Sequence, residues 1–292
     1  MNKEEIITNL KNKKEDSYLI KGEASLVMQD LKKMTKDVVY QPIKDEKFVC
    51  VAGYNCESVD TYFERLAKST NKKDKQILKE LDLLLCLKDN KRYEKKIYQN
   101  GINLIAGVDE VGRGPLVGPV VAAAVILPKD LIIEGLTDSK KLSEKKREYY
   151  SDLIKKEALA YAIFSVDNEK IDEVNIYEAT KIAMIKAITN LKIKPEHILI
   201  DAMPLDLPIP TTSIIKGDLK SQTIAAASVL AKVYRDHLLY ELDKKYPMYN
   251  YRKNKGYPTK EHLALLKKYG ITPYYRKSYG PVKEFLSSVD IK

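Results

Sequence analysis

Residues 104–115 place the tightest constraint on the fold, because an apolar run there ends in two adjacent carboxylates and passes at once into a glycine-flanked arginine. Leu104, Ile105 and Val108 have the character of a buried strand, and the chain continues Asp109-Glu110-Val111-Gly112-Arg113-Gly114-Pro115. Burying a charge without a partner is costly, so carboxylates ending a buried strand need a compensating group. A divalent cation is the natural candidate, since hard cations take oxygen ligands. The competing reading is a strand that finishes in a solvated Asp-Glu turn, the ordinary place for charge.

The surroundings favour a polyanionic partner. The 292 residues carry a formal net charge of +10, which suits nucleic acid or an anionic membrane surface. No stretch approaches the ~18 consecutive apolar residues that a spanning helix needs, and Met1-Asn2-Lys3-Glu4-Glu5 lacks the layout of a secretory signal. Nucleic acid is therefore the expected partner, without a membrane. Cys50, Cys56 and Cys86 form a sparse, odd set with no metal-ligand spacing, which implies a reducing, cytoplasmic setting. His197, His237 and His262 are too scattered for a histidine metal site.

Texture divides the chain near residue 100. Residues 3–10, 25–34, 58–67 and 74–98 show helix-like spacing between lysine-rich breaks, and 48–52 is a short strand candidate. Residues 1–100 are thus expected to form a mostly helical accessory region with a linker helix. Residues 101–292 are expected to form an α/β domain with a basic helical C-terminal part. There the spacing predicts strands at 104–109, 117–127, 160–166, 197–200 and 213–215, and helices at 143–157, 175–191 and 221–246.

Asp109, Asp201 and Asp218 each follow an apolar strand at or near its C-terminal end. Strands of one sheet lie ~4.8 Å apart, so these remote residues can meet at the edge where open α/β sheets usually bind ligands. Glu110 is the awkward fourth member, because consecutive strand residues face opposite sides. It joins only if the backbone leaves strand geometry, which Gly112 and Gly114 make feasible. Four carboxylates gathered without lysine partners would repel, and two metal ions ~3.5–4 Å apart would relieve this while promoting phosphodiester displacement. Asp138, Asp206, Asp236 and Asp243 compete for the same role. Asp206 lies in a proline-rich loop and reads as solvated, while Asp236 beside Arg235 reads as a structural ion pair.

Several motifs in one order extend this picture. The run 106–119, Asp138-Ser139-Lys140-Lys141-Leu142-Ser143, Ile200-Asp201-Ala202, Lys216-Gly217-Asp218, Ala225-Ala226-Ala227-Ser228, Ala231-Lys232-Val233-Tyr234-Arg235-Asp236 and residues 254–262 together resemble bacterial ribonuclease HII. The resemblance runs from about residue 92 to 285. It implies a ribonuclease-H-like mixed sheet flanked by helices. It also implies endonucleolytic cleavage of the RNA strand of RNA–DNA hybrids, and incision at single ribonucleotides in duplex DNA, leaving 3′-hydroxyl and 5′-phosphate ends. It assigns Asp109, Glu110, Asp201 and Asp218 as catalytic metal ligands for Mg2+ or Mn2+.

By the same resemblance Gly112, Arg113 and Gly114 form a ribose-reading loop, and glycines do let a backbone approach a 2′-hydroxyl. Tyr257 matches the tyrosine that packs on the neighbouring sugar, and Ser139 and Lys140 match residues near the substrate backbone. The plainer readings are a tight turn, an ordinary tyrosine and a solvated loop. Residues 244–277 hold ten basic side chains, one acid and seven tyrosines, a composition suited to a duplex-binding face. A monomer is expected. The accessory region is longer than in short family members, and the sister enzyme ribonuclease HIII also has an N-terminal domain, although it normally lacks the Gly-Arg-Gly triplet. Alternatives are another ribonuclease-H-like nuclease acting on DNA, or a non-catalytic nucleic-acid-binding module.

Overall fold

The computed structural model describes residues 89–289, the strand segments 38–43, 46–51 and 57–58, and a few positions between 67 and 78. The chain forms two units, Met1–Asp89 and Asn90–Lys292.

The first unit contains β1 (Val38–Ile43), β2 (Glu46–Val51) and β3 (Glu57–Ser58), paired antiparallel in that order. Sequence spacing anticipates only β2, and a helix expected from 58 collides with β3. The reason is local: Val38-Val39-Tyr40 has strand-forming side chains, but Pro42 disguises the run, being tolerated because β1 is an edge strand. Ala67, Lys68, Lys72, Lys75 and Leu78 are helical. The helices expected at 3–10 and 25–34 lie outside the described residues.

In the second unit a helix α1 (Arg92–Tyr98) precedes a mixed five-stranded sheet of order β6-β5-β4-β7-β8. Its strands are β4 (Ile105–Val111), β5 (Val120–Ile126), β6 (Ala160–Val166), β7 (His197–Asp201) and β8 (Thr211–Ile214). β4, β5 and β6 are antiparallel neighbours, whereas β7 and β8 run parallel to β4. The helices are α2 (Glu144–Glu157), α3 (Asn168–Val174), α4 (Ile176–Thr189), α5 (Gly217–Lys220), α6 (Gln222–Lys245), α7 (Tyr251–Asn254), α8 (Lys260–Tyr269) and α9 (Gly280–Val289). Ser143, Asp167, Asn175 and Ser221 cap α2, α3, α4 and α6 through side-chain oxygens, as short polar side chains do at helix starts.

Strand alternation sorts β4 and β5 between two cores. Ala106, Val108, Ala122 and Ala124 pack against α4 through Ala179, Ala183, Met184 and Ala187. On the other face Val121, Ala123 and Val125 pack against Ala226, Ala227, Val229 and Leu230 of α6 and Ile154 of α2. The result is a three-layer α/β/α arrangement. A third core, including Leu116, Leu239, Tyr249, Tyr251, Leu266 and Tyr275, binds the C-terminal helices to the loop that follows β4.

Glu94 ties α1 to this body. It is fully buried, and its Oε1 accepts from the Ser221 hydroxyl (2.6 Å), the Thr223 hydroxyl (2.8 Å) and the Thr223 amide (3.0 Å) at the start of α6. A carboxylate there complements the positive end of the helix dipole.

Candidate metal centre beside a glycine loop

The parallel register of β4 and β7 pairs Val108 with Ile200, so the next residues, Asp109 and Asp201, emerge side by side at the C-terminal ends of both strands. Asp218 follows β8, the strand expected to precede it. It lies not on a strand but in α5, one turn beyond β8, which Lys216 enters through a left-handed backbone (φ 58°). The Gly217 amide donates to Asp201 Oδ1 at 2.6 Å, locking the strand end to the short helix. One carboxylate oxygen from each of Asp109, Asp201 and Asp218 lies within 4.8 Å of the others.

Glu110 stays outside this cluster. Its side chain leaves the opposite face of β4 and meets Arg113, with Nη1–Oε1 3.7 Å, while its amide donates to Asp109 Oδ1 at 2.8 Å. Its charge nonetheless bears on the cluster, raising Asp109 and being raised by Asp201. Of the competing acids, Asp206 is exposed, and Asp243 accepts from the Arg252 amide. Asp236 pairs with Lys232 (2.7 Å) and Arg147 (3.9 Å), not with its neighbour Arg235. Only Asp138 approaches the cluster, adding its charge to those of Asp201 and Asp218.

Electrostatics show a site built for more positive charge than the chain supplies. Burial pushes Asp109 well up, and the Glu110 and Asp201 charges add to it, opposed by a hydrogen bond with Ser228 of α6. Burial also raises Glu110, with Arg113 opposing, and raises Asp201, with the Gly217 amide and Lys140 opposing. Asp218 is pushed up to about 6, by burial first and then by Asp201 and Asp138. Lys140 is the lysine counter-charge that the sequence does not reveal. Partial burial works against its charge, yet Asp218, Asp138, Asp109 and Asp201 together hold it above its ordinary value. One ammonium cannot neutralise this many acids. An all-oxygen donor set of clustered carboxylates fits Mg2+ or Mn2+.

These shifts fix a sign. Carboxylates whose folded values are raised hold more protons folded than unfolded, so their contribution to stability falls as pH rises through that window. In chelator, Asp218→Asn should therefore gain on the wild type in Tm as pH rises from about 4 through about 6. A Tm difference that stays constant, or turns against the variant, would contradict this.

The other expected site residues lie along the rim. The Gly112-Arg113-Gly114 loop leaves β4 directly, with Gly112 at φ +95°, a conformation open to glycine. The Tyr257 ring packs over Gly114, where a Cβ would meet its Cε1 at 3.4 Å, and Tyr257 is 40% exposed. Ser139 is buried, and its hydroxyl pairs at 3.0 Å with Ser228, the residue that bonds Asp109. Its hydroxyl supports the cluster from behind. Of the tyrosines read as a duplex-binding face, Tyr249, Tyr251 and Tyr275 are instead core, stacked or edge-on to one another and to His262, while Tyr257 and Tyr269 are exposed. Residue type alone could not separate these groups. Ser228 and Arg276, both important to the site, carry no chemistry-bearing spacing in the sequence.

A family model described as Ribonuclease HII matches residues 106–280. Ribonuclease H2 from Pyrococcus horikoshii OT3 is similar with a TM-score of 0.57 and 26% identity, over 65% of this chain and 100% of that one. Ribonuclease HII of Archaeoglobus fulgidus, in its complex with PCNA, gives 0.51 and 28%, over 61% and 95%. Bst-RNase HIII in complex with Mn2+ gives 0.52 and 15%, over 91% and 97%, a likeness of fold. No described helix is long and apolar enough to cross a membrane.

Proposed function

Because the chain belongs to the ribonuclease HII family, whose model matches more than half of it, we propose that it is a bacterial, metal-dependent endoribonuclease of type 2. It cleaves the RNA strand of RNA–DNA hybrids and incises 5′ of single ribonucleotides in duplex DNA, leaving 3′-hydroxyl and 5′-phosphate ends. The observation that carries this reading is the convergence of Asp109, Asp201 and Asp218 within 4.8 Å at the same strand end as the glycine loop. A pure binding module gains nothing from acids facing phosphate.

Asp109, Asp201 and Asp218 would hold Mg2+ or Mn2+, with Glu110 beside them as the fourth carboxylate. When bound, such ions stabilise charge developing on the scissile phosphate and lower the pKa of the attacking water. The chain supplies the rest. Ser228, backed by Ser139, and the Gly217 amide aim Asp109 and Asp201. The glycine loop lets main-chain groups reach a 2′-hydroxyl, the group that separates RNA from DNA. Arg113, freed from Glu110, is placed to grip a phosphate in two-pronged fashion. The Tyr257 ring lies where it would pack on the adjoining sugar. The N-terminal unit is assigned an accessory role, the protein is assigned as a monomer, and the sparse cysteines favour a cytoplasmic site.

A second reading, ribonuclease HIII, is favoured by the extent of the Bst-RNase HIII likeness, which spans 91% of this chain. The Gly112-Arg113-Gly114 triplet favours the first. One experiment separates them: incubate the protein with a DNA duplex holding one ribonucleotide, a continuous RNA–DNA hybrid and an all-DNA duplex, in Mg2+ or Mn2+. Cutting of the first two, with the single-ribonucleotide duplex cut 5′ of the ribonucleotide, is expected. Cutting of the hybrid alone would select HIII, and cutting of all-DNA would overturn both. Tyr257→Ala should reduce cleavage at a single ribonucleotide more than duplex binding, by about tenfold for the loss of one stacking contact. Equal losses in both assays would remove Tyr257 from that role.

A further inference from the structure

We infer that Arg276, assisted by Tyr279, is a positioning residue that aims the amides of the Gly112-Arg113-Gly114 loop and thereby sets the preference for ribose over deoxyribose. The inference rests on the ribonucleotide-directed reading above and deepens it.

Arg276 is fully buried beneath the loop. Its Nη2 donates to the carbonyls of Gly112 (2.6 Å) and Gly118 (2.8 Å), and its Nε donates to Gly118 (2.9 Å). Its Nη1 donates to the Arg113 carbonyl (3.0 Å) and the Tyr279 hydroxyl (2.9 Å). The Tyr279 hydroxyl donates in turn to the same Arg113 carbonyl. Across a trans peptide, the C=O of one residue and the N–H of the next point in opposite directions. Holding the carbonyls of Gly112 and Arg113 inward therefore turns the N–H groups of Arg113 and Gly114 away from the guanidinium, in the loop over which Tyr257 packs. Neither amide has a hydrogen-bond partner among the described residues.

A second buried arginine braces the same loop. Arg235 donates to the carbonyls of Pro119 (3.1 Å), Val117 (3.0 Å) and Lys255 (3.1 Å), the last only two residues before Tyr257. It lies so close to Gly112 that a Cβ there would fall 2.3 Å from its Nε. The strand-exit loop and the Tyr257 segment are thus held by shared donors. The segment carrying Arg276 is itself pinned, because Asp172 accepts from the amides of Lys277 and Ser278 and from the Ser278 hydroxyl.

Neither guanidinium has a carboxylate within ion-pair distance among the described residues, so two buried cations stand behind the outward amides. Donors backed by positive charge suit an oxygen acceptor, here a ribose hydroxyl or the adjoining phosphate. An arginine serving stability alone could bond any carbonyls. Arg276 bonds the two peptides whose opposite ends face the ligand.

The test compares affinity for a DNA duplex holding one ribonucleotide with affinity for the same duplex in all-DNA form, measured in Ca2+ with turnover blocked. Arg276→Lys keeps the charge but loses the fork of donors, and should cut the ribose preference by about tenfold, the equivalent of one or two hydrogen bonds. Tyr279→Phe removes one hydroxyl from a partly exposed ring and should cut it severalfold, which decides the matter even if the arginine variant fails to fold. All-DNA affinity should hold in both. A folded variant that keeps the wild-type preference, or loses both affinities alike, overturns the inference while leaving the proposed activity standing. Absence of any ribose preference in the wild type would overturn both.

Discussion

Asp109→Asn is expected to abolish cleavage and, at the same time, to make the metal-free protein more stable at neutral pH. Asp109 is the most buried member of the acid cluster and is surrounded by Glu110, Asp201 and Asp218. Removing its charge weakens a site whose ions should supply several kcal/mol of transition-state stabilisation, and ~4 kcal/mol is roughly a thousandfold in rate. The amide is nearly the same size, so the strand and Ser228 have no reason to move. In the absence of metal it also ends a like-charge repulsion inside the protein. On the order of 1 kcal/mol of relief would raise Tm by about 2–4 °C for a body of this size. Functional sites commonly hold such a conflict between stability and activity. Thermal melts in chelator, alongside a cleavage assay in Mn2+, check both halves. Retained turnover, or a lower metal-free Tm, would contradict the assignment.

Gly107→Ala should be a severely damaging small change. Gly107 lies on β4 between Ile105 and Asp109, on the strand face turned to α6. A Cβ there would fall 2.2 Å from the carbonyl carbon of Thr223 and 2.5 Å from the amide nitrogen of Ile224. Both are main-chain atoms of the first turn of α6, so no side chain can rotate aside to make room. Either the helix lifts from the sheet or the strand shifts, at a cost of about 4 kcal/mol or more and roughly 10 °C in Tm. Lifting α6 would also carry away Ser228, which bonds Asp109, and disturb Thr223, which bonds Glu94. Whatever fraction folds should therefore cleave poorly, even though no acid has been touched. A variant with wild-type Tm and activity would show that the close approach of strand and helix is not needed.

Much of this was legible from residues, where elementary rules apply without competition. Hydrophobic periodicity placed β4 to β8 and the long helices near their observed limits, and strand-end carboxylates pointed to one edge. Pleat geometry marks Glu110 as the awkward member, and its carboxylate meets Arg113 while the three aspartates group together. The rest depended on tertiary placement. Asp218 reaches the cluster through a left-handed turn at Lys216, which no period encodes. Ser139 is polar and sits beside exposed lysines, yet its hydroxyl faces inward to Ser228. Tyr249, Tyr251 and Tyr275 look like Tyr257 in composition, and only packing divides core rings from the exposed one. Arg276 was invisible because it bonds carbonyls, and every residue has a carbonyl. Pro42 concealed a strand because a sequence does not declare which strand will lie at an edge.

Titrating the protein with Mn2+, and following the loss of the free-ion paramagnetic resonance signal alongside cleavage, tests the central claim most directly. Saturable binding by the wild type is expected, with binding and cleavage lost together in Asp109→Asn, Asp201→Asn and Asp218→Asn. Undiminished Mn2+ binding by a variant lacking all three carboxylates, or wild-type cleavage that survives in chelator, would contradict it.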